Sequence, residues 1–181
     1  MDVKSTKISG VLVITPQVYM DERGWFMEVW DEQLQEIGIP PFKQLNHSRS
    51  DRDVIRGLHC QLCPPMGKLM RVVHGRAYLV AVDLRVGSPT QGEWVGIMAT
   101  DMDKKQLWAP AQFARGFCAM SPNTHIEYAC TALYNQDGEY QIRWDDPDIG
   151  IEWPITNPRL SEKDMAAPCL REFYEHYDNR S

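Results

Sequence analysis

Apolar and polar positions along this chain alternate in short runs that stop at Gly, Pro, Asn or Asp. After the paired Pro40-Pro41 the runs recur at residues 42–48, 55–61, 68–73, 77–86, 94–99, 106–109, 116–120 and 124–131. Side chains on a strand alternate faces, so runs of this length between turn residues predict strands. So many in succession favour a sandwich or barrel over a parallel sheet wrapped by helices. Upstream, residues 11–14 form a β-rich run closed by Pro16. The turn signal Asp21-Glu22-Arg23-Gly24 then precedes a second run at 25–30, which predicts two strands joined by a loop. Residues 31–37 suit one or two helical turns: acidic residues come first, Leu34 and Ile37 stand three apart, and Gly38 supplies the stop. In Val72-Val73-His74-Gly75-Arg76-Ala77-Tyr78 two strands meet at a glycine whose freedom at positive φ predicts a tight hairpin. Only residues 161–177 read as helical, with Ser161 and Asp164 placed to cap the first turn and Pro168 breaking or offsetting the helix. The pattern predicts an all-β, double-sheet jelly roll with short peripheral helices, one domain over residues 1–181.

Composition narrows what such a domain binds. At 181 residues and 43% hydrophobic, the chain is long enough to bury a core without staples. A net charge of −6 argues against a broad nucleic-acid or anionic-membrane surface, so any phosphate site is local. Five scattered cysteines, an odd number, predict reduced thiols. The first ten residues carry no apolar signal core, and the run at 11–14 is too short to cross a bilayer; a cytoplasmic location is expected. Cys60 and Cys63 make a lone C-x-x-C with no second pair, and alternation turns Cys60 away from His59, so zinc and thioredoxin chemistry are disfavoured. His47, His59, His74, His125 and His176 are widely spaced. A metal site requires folding to gather them.

The stretch Arg56-Gly57-Leu58-His59-Cys60-Gln61, with Lys68 nine residues after the histidine, concentrates the chemistry. On adjacent strands these residues point inward together, because residues two apart share a face. That places an anion-binding guanidinium, a proton-transferring imidazole and an oxyanion-stabilising ammonium around one cavity.

The motifs around that stretch carry a family resemblance. They are Asp21-Glu22-Arg23-Gly24, Asn46-His47-Ser48-Arg49-Ser50, Arg56-Gly57-Leu58-His59, Gly67-Lys68-Leu69, Val80-Ala81-Val82-Asp83-Leu84-Arg85, Gly87-Ser88-Pro89-Thr90, Lys105-Gln106-Leu107-Trp108, Gly116-Phe117 and Ile142-Arg143-Trp144-Asp145-Asp146-Pro147. In this order and spacing, from about residue 10 to residue 168, the chain resembles the dTDP-4-dehydrorhamnose 3,5-epimerase family. The resemblance implies a cupin-type jelly roll without cofactor or metal, a homodimer, acting on a nucleotide-diphosphate 4-keto sugar. The implied reaction inverts stereocentres beside the C4 ketone of a 4-keto-6-deoxy sugar. A proton next to the carbonyl leaves to give an enolate, and another returns to the opposite face.

The resemblance also assigns roles. His59 matches the base, and imidazole is the side chain that titrates near neutral pH without tuning. Asp164 matches the carboxylate that orients it, Lys68 the cation beside the enolate oxygen, and Tyr128 the proton donor on the other face. Arg23, Glu28, Gln44, Asn46, Arg56 and Glu139 match the nucleotide cradle; an arginine fork grips two diphosphate oxygens, and amides or carboxylates read base edges and hydroxyls. Alone, each has a plainer reading. His59 is then a structural strand histidine, Tyr128 a core tyrosine, Lys68 a strand-end lysine, Asp164 a helix cap, and Arg23 and Arg56 surface ion pairs. The motif context reverses the balance.

Departures from the family pattern fall on the pocket walls. Arg115 stands in Ala114-Arg115-Gly116-Phe117 where the family commonly has a substrate-contacting histidine; it either binds an added anionic or hydroxyl group or turns outward to an acid. Leu133 precedes Tyr134 where two tyrosines are frequent, Ala129 follows Tyr128 where lysine is common, and Cys60 replaces an aromatic. The expected function is therefore a nucleotide-4-keto-6-deoxy-sugar 3,5-epimerase. The alternatives are a single-site epimerase on a CDP- or GDP-linked sugar, a sugar-nucleotide-binding cupin without turnover, and, more distantly, a metal-dependent cupin oxygenase.

Overall fold

The computed structural model describes residues 1–178. In chain order its strands are β1 (Asp2–Ser5), β2 (Leu12–Thr15), β3 (Val18–Asp21), β4 (Gly24–Met27), β5 (Gln44–Ser50), β6 (Ile55–Gln61) and β7 (Lys68–His74). There follow β8 (Arg76–Asp83), β9 (Trp94–Thr100), β10 (Gln106–Ala109), β11 (Phe113–Ala119), β12 (Thr124–Cys130) and β13 (Glu139–Gln141). Helices α1 (Gln33–Glu36), α2 (Glu162–Met165) and α3 (Leu170–Asp178) complete the set. Two antiparallel sheets, ordered β1-β2-β10-β7-β12-β5 and β13-β6-β11-β8-β9, pack face to face as a jelly roll, and β3-β4 stands apart as a two-stranded hairpin.

Alternation explains the packing. Met70 and Val72 of β7, Leu107 of β10 and Ile126 of β12 meet Ala77, Leu79 and Ala81 of β8 and Phe113 and Phe117 of β11 between the sheets. The opposite faces are covered as well. Leu58, Cys60, Val80 and Val82 lie under Leu170 and Phe173 of α3, while Leu69, Trp108 and Ala129 lie under Leu34 of α1 and Ile39. Every residue of β11, Arg115 included, is buried, because both faces of the strand are covered.

One expectation is corrected. Gly75, at φ +85°, does make a tight turn, but β7 and β8 belong to different sheets, so the chain turns a corner there instead of forming a hairpin. A Cβ at Gly75 would come within 2.4 Å of Ser121 Oγ, which keeps the corner small. The C-terminal helical stretch divides at Pro168 as its sequence predicts: Ser161 caps α2, the chain leaves helical form before Pro168, and α3 starts at Leu170. Among the described residues, no helix is long and apolar enough to cross a membrane.

Candidate active site

The site begins at an irregularity in β6. Arg115 of β11 pairs with His59 and Phe117 pairs with Arg56, so Gly57 and Leu58 together face the single residue Gly116. This bulge offsets the alternation by one residue and turns Arg56 and His59, three apart, toward the same cavity. Regular alternation would have set them on opposite faces. Gly57 makes the bulge possible: its φ is +129°, and a Cβ there would lie 2.6 Å from the Gly116 Cα.

The same bulge meets α2. His59 Nε2 lies 2.6 Å from Asp164 Oδ1, and Asp164 is 3% exposed. Ser161 Oγ donates to Asp164 Oδ2 at 2.9 Å and accepts from the Asp164 N–H at 3.1 Å, so the helix cap and the carboxylate hold one another. Burial is the largest single influence on the Asp164 carboxyl and works against its charge, but the hydrogen bond and charge of His59 together with Ser161 and the Gly57 N–H outweigh it, and the carboxyl sits below its usual range. With Nε2–H donated to this carboxylate, the His59 Nδ1 keeps the lone pair a base requires.

The facing wall comes from the other sheet. Lys68 (β7) and Tyr128 (β12) point inward, and Tyr128 packs against the core cluster that includes its cross-strand partner Met70. His59, Arg56, Lys68, Met70, Arg115, Gly116, Phe117 and Tyr128 line a cavity of about 360 Å³ including its mouth. Lys68 and His59 thus meet across the sandwich, not on adjacent strands of one sheet as the spacing predicted. The Lys68 Nζ stands 5.5 Å from the centre of the Tyr128 ring. Burial, then the Arg115 charge, bring Lys68 down to about 8. Burial raises the Tyr128 phenol, while the charge of Arg56 opposes the rise.

Arg115 turns inward, not outward. It is 3% exposed and donates to the Met66 carbonyl from Nη1 at 2.9 Å and from Nη2 at 2.7 Å. Arg56, at the mouth, donates from Nε to Ser50 Oγ at 3.0 Å and from Nη2 to the Arg49 carbonyl at 3.2 Å.

The remaining predicted residues fall into two groups. Asn46 pairs with Tyr128 across β5 and β12, and Gln44 Nε2 donates to Asn46 Oδ1 at 2.8 Å, so both extend the Tyr128 wall. Glu139 on β13 accepts from Lys163 Nζ at 2.5 Å and from the Tyr134 hydroxyl at 3.1 Å, beside β6. Arg23 and Glu28, by contrast, lie outside this cavity. Arg23 is paired with Asp21 in the exposed β3-β4 turn and lines a separate depression made by the hairpin itself. Sequence reasoning overlooked Lys163, whose position next to Asp164 was the available signal, and Phe117, which lies two residues from Arg115 and so shares its face of β11. Folding does gather three histidines, on the outer face of the larger sheet: His47 Nε2 is 2.9 Å from His125 Nδ1, and the His74 ring is 5.9 Å from that of His125. Among the described residues, no group of three or more His, Cys, Asp and Glu is arranged to hold a metal ion.

A jelly roll whose interior opposes an imidazole–carboxylate pair to a phenol and an amine is a cupin-type fold equipped for acid–base chemistry on a small molecule. The family model described as dTDP-4-dehydrorhamnose 3,5-epimerase matches residues 5–172. The chain belongs to that family. It is 46% identical over 172 residues to the dTDP-4-dehydrorhamnose 3,5-epimerase of Methanothermobacter thermautotrophicus, covering 92% of this chain and 93% of that one. Among solved structures it superposes with a TM-score of 0.91 and 40% identity on RmlC from Legionella pneumophila in complex with dTDP-4-keto-L-rhamnose, covering 94% of this chain and 93% of that one. It superposes at 0.86 and 27% identity on ChmJ, a 3'-monoepimerase from Streptomyces bikiniensis in complex with dTDP-quinovose, covering 97% and 95%.

Proposed function

We propose that this protein inverts C3 and C5 of a dTDP-linked 4-keto-6-deoxy sugar, an isomerase of deoxysugar biosynthesis serving surface polysaccharide or glycosylated metabolites. The observation that carries this reading is the placement of His59 with Asp164 on one wall of the cavity and Tyr128 with Lys68 on the other. A ring held between the walls exposes opposite faces to a base and to an acid, which is what inversion requires. His59 Nδ1 takes the proton beside the ketone while Asp164 steadies the imidazolium. Lys68 meets the charge that develops on the ketone oxygen, and Tyr128 returns a proton from the far side. Arg56, at the mouth, takes the diphosphate, with Gln44, Asn46 and Glu139 around it.

The reading includes a homodimer. Tyr19, Met20, Trp25 and Phe26 of the β3-β4 hairpin are more than half exposed, as is Leu45 on the open edge strand β5. Apolar surface of this kind favours burial against another copy. Such a copy would bring Arg23 and Glu28, stranded on the hairpin, to the nucleotide end of its partner's site. A cytoplasmic location also belongs to the reading and suits five free thiols.

The test is product identity. Incubation with dTDP-4-keto-6-deoxyglucose, read by NMR, should yield the sugar inverted at both C3 and C5. Inversion at C3 alone would move the protein to the single-site reading that the likeness to ChmJ supports. Binding with no product from dTDP-, CDP- or GDP-linked sugars would leave a binding protein.

A further inference from the structure

Arg115 lies mid-strand in β11, directly opposite His59, and all its hydrogen bonds go to neutral carbonyls. Nη1 and Nη2 share the Met66 oxygen, Nη1 also reaches the Pro110 oxygen at 3.3 Å, and Nε is buried without a partner. Burial brings Arg115 down to about 10, so the guanidinium still keeps its charge through pH 8, and a buried charge without a carboxylate is costly. The family pattern that the chain's motifs resemble commonly has histidine at this position, whose charge follows pH, whereas the charge of Arg115 is fixed near neutrality.

Lys68 shares the cavity with it. The titratable and charged groups that share the cavity with Lys68 are Arg115 from β11, His59 and Arg56 from β6 and Tyr128 from β12, and the groups near enough to bear on its charge add Cys60 from the far face of β6, Cys130 from β12 and Glu139 from β13. Glu139 is already taken by Lys163 and Tyr134. Burial pushes the Cys60 thiol up to about 12 and raises Cys130, so neither thiol supplies an anion at neutral pH. Three cations therefore line the resting cavity, Arg56 at the mouth and Lys68 and Arg115 further in, and among the described residues no carboxylate is bonded to Lys68 or Arg115.

We propose that Arg115 is a positioning residue acting through Lys68: its fixed charge shares the cavity with the Lys68 amine and makes the pair a receptor for one developing negative charge. This rests on the epimerase reading and deepens it, by naming what tunes the oxyanion site. In the resting protein the charge of Arg115 eases proton loss from Lys68. Charge on the enolate oxygen gives the Lys68 ammonium the partner it lacks and offsets its repulsion from Arg115, so the interaction is worth more in the transition state than in the free site.

Lys68 has to be protonated to act in this way, so kcat/KM should fall as pH rises through about 8. Three variants test the link. In Arg115→Gln, the alkaline limb should move up by roughly one unit or more, because a like charge has gone. In Arg115→His, the family residue, the imidazole is neutral near pH 8 and the same upward move is expected, which guards against a Gln variant that does not fold. Arg115→Lys keeps the charge and should keep the limb near its original position. The second readout needs no turnover: the Lys68 signal after reductive ¹³C-methylation, assigned by its loss in Lys68→Arg, should titrate higher in the Gln and His variants. An unchanged Lys68 titration in both would overturn the proposal, as would an equal shift in all three variants, which would mean that only the tether to Met66 matters. A protein that turns over no 4-keto sugar yet shows the shifted titration would overturn the epimerase reading and leave the Arg115–Lys68 coupling standing.

Discussion

His59 Nε2 and Asp164 Oδ1 are 2.6 Å apart, although the two residues lie 105 positions apart in the chain and on different elements, a bulged strand and a one-turn helix. Replacing Asp164 by Asn keeps the shape but removes the charge that steadies an imidazolium. We expect kcat to fall by roughly 10²–10³-fold with KM changed only a few-fold. Stability should show the matching acid dependence. The folded carboxyl is held below its unfolded value of 3.8, so its contribution is present above that value and is lost as pH falls through the lower, folded one. The Asn variant should lose that part of the acid dependence of its Tm. An unchanged kcat would mean that Asp164 serves α2 alone.

Gly57 ties that pair to the sheet. Gly57→Ala places a Cβ 2.6 Å from the Gly116 Cα at a φ that L residues rarely adopt. Denaturant unfolding should show a loss of about 2–4 kcal/mol. Activity should drop beyond what the folded fraction explains, because His59 rides on the same bulge. A loss under 1 kcal/mol would mean that the strand relaxes freely there.

Lys68 trades stability for chemistry. Its amine titrates at about 8 in the folded protein against 10.5 when unfolded, so folding carries a cost below pH 8 that fades as pH rises from 8 to 10.5. Lys68→Met should therefore raise stability at pH 7 by about 1–3 kcal/mol, a gain that shrinks toward pH 10.5, while turnover collapses. Thermal melts across that range check the sign. A destabilised variant at pH 7 would contradict it.

The exposed hairpin predicts an assembly state. Phe26→Asp together with Trp25→Ser should convert a dimer to a monomer in sedimentation and raise KM for the nucleotide sugar, since Arg23 and Glu28 would be lost to the site. A wild-type chain that sediments as a monomer would remove the homodimer from the reading.

Much of this was legible in the chain. The runs at 55–61 and 106–109 are β6 and β10 residue for residue, and the grouping of Lys68, His59 and Tyr128 around one cavity was available from the family motifs. Strands β1, β3 and β13 were not legible. Asp2–Ser5 is wholly exposed, Val18–Asp21 nearly so, and Glu139–Gln141 is three residues long, so none carries an apolar rhythm. The Gly75 corner was read as a hairpin because a tight turn looks the same in sequence whether or not the strands it joins pair. The bulge at Gly57 was hidden for a related reason: a count of two residues against one exists only once β11 is alongside. The inward turn of Arg115 depended on the Met66 and Pro110 carbonyls, which leave no trace in residue identity.

The most direct measurement is deuterium incorporation into dTDP-4-keto-6-deoxyglucose in D₂O, followed at C3 and C5 separately by NMR, with the wild-type protein, His59→Ala and Tyr128→Phe side by side. Exchange at both carbons in the wild type, none in His59→Ala, and exchange without inverted product in Tyr128→Phe is the expected result. Comparable exchange and inversion in all three would contradict the roles assigned to the two walls of the cavity.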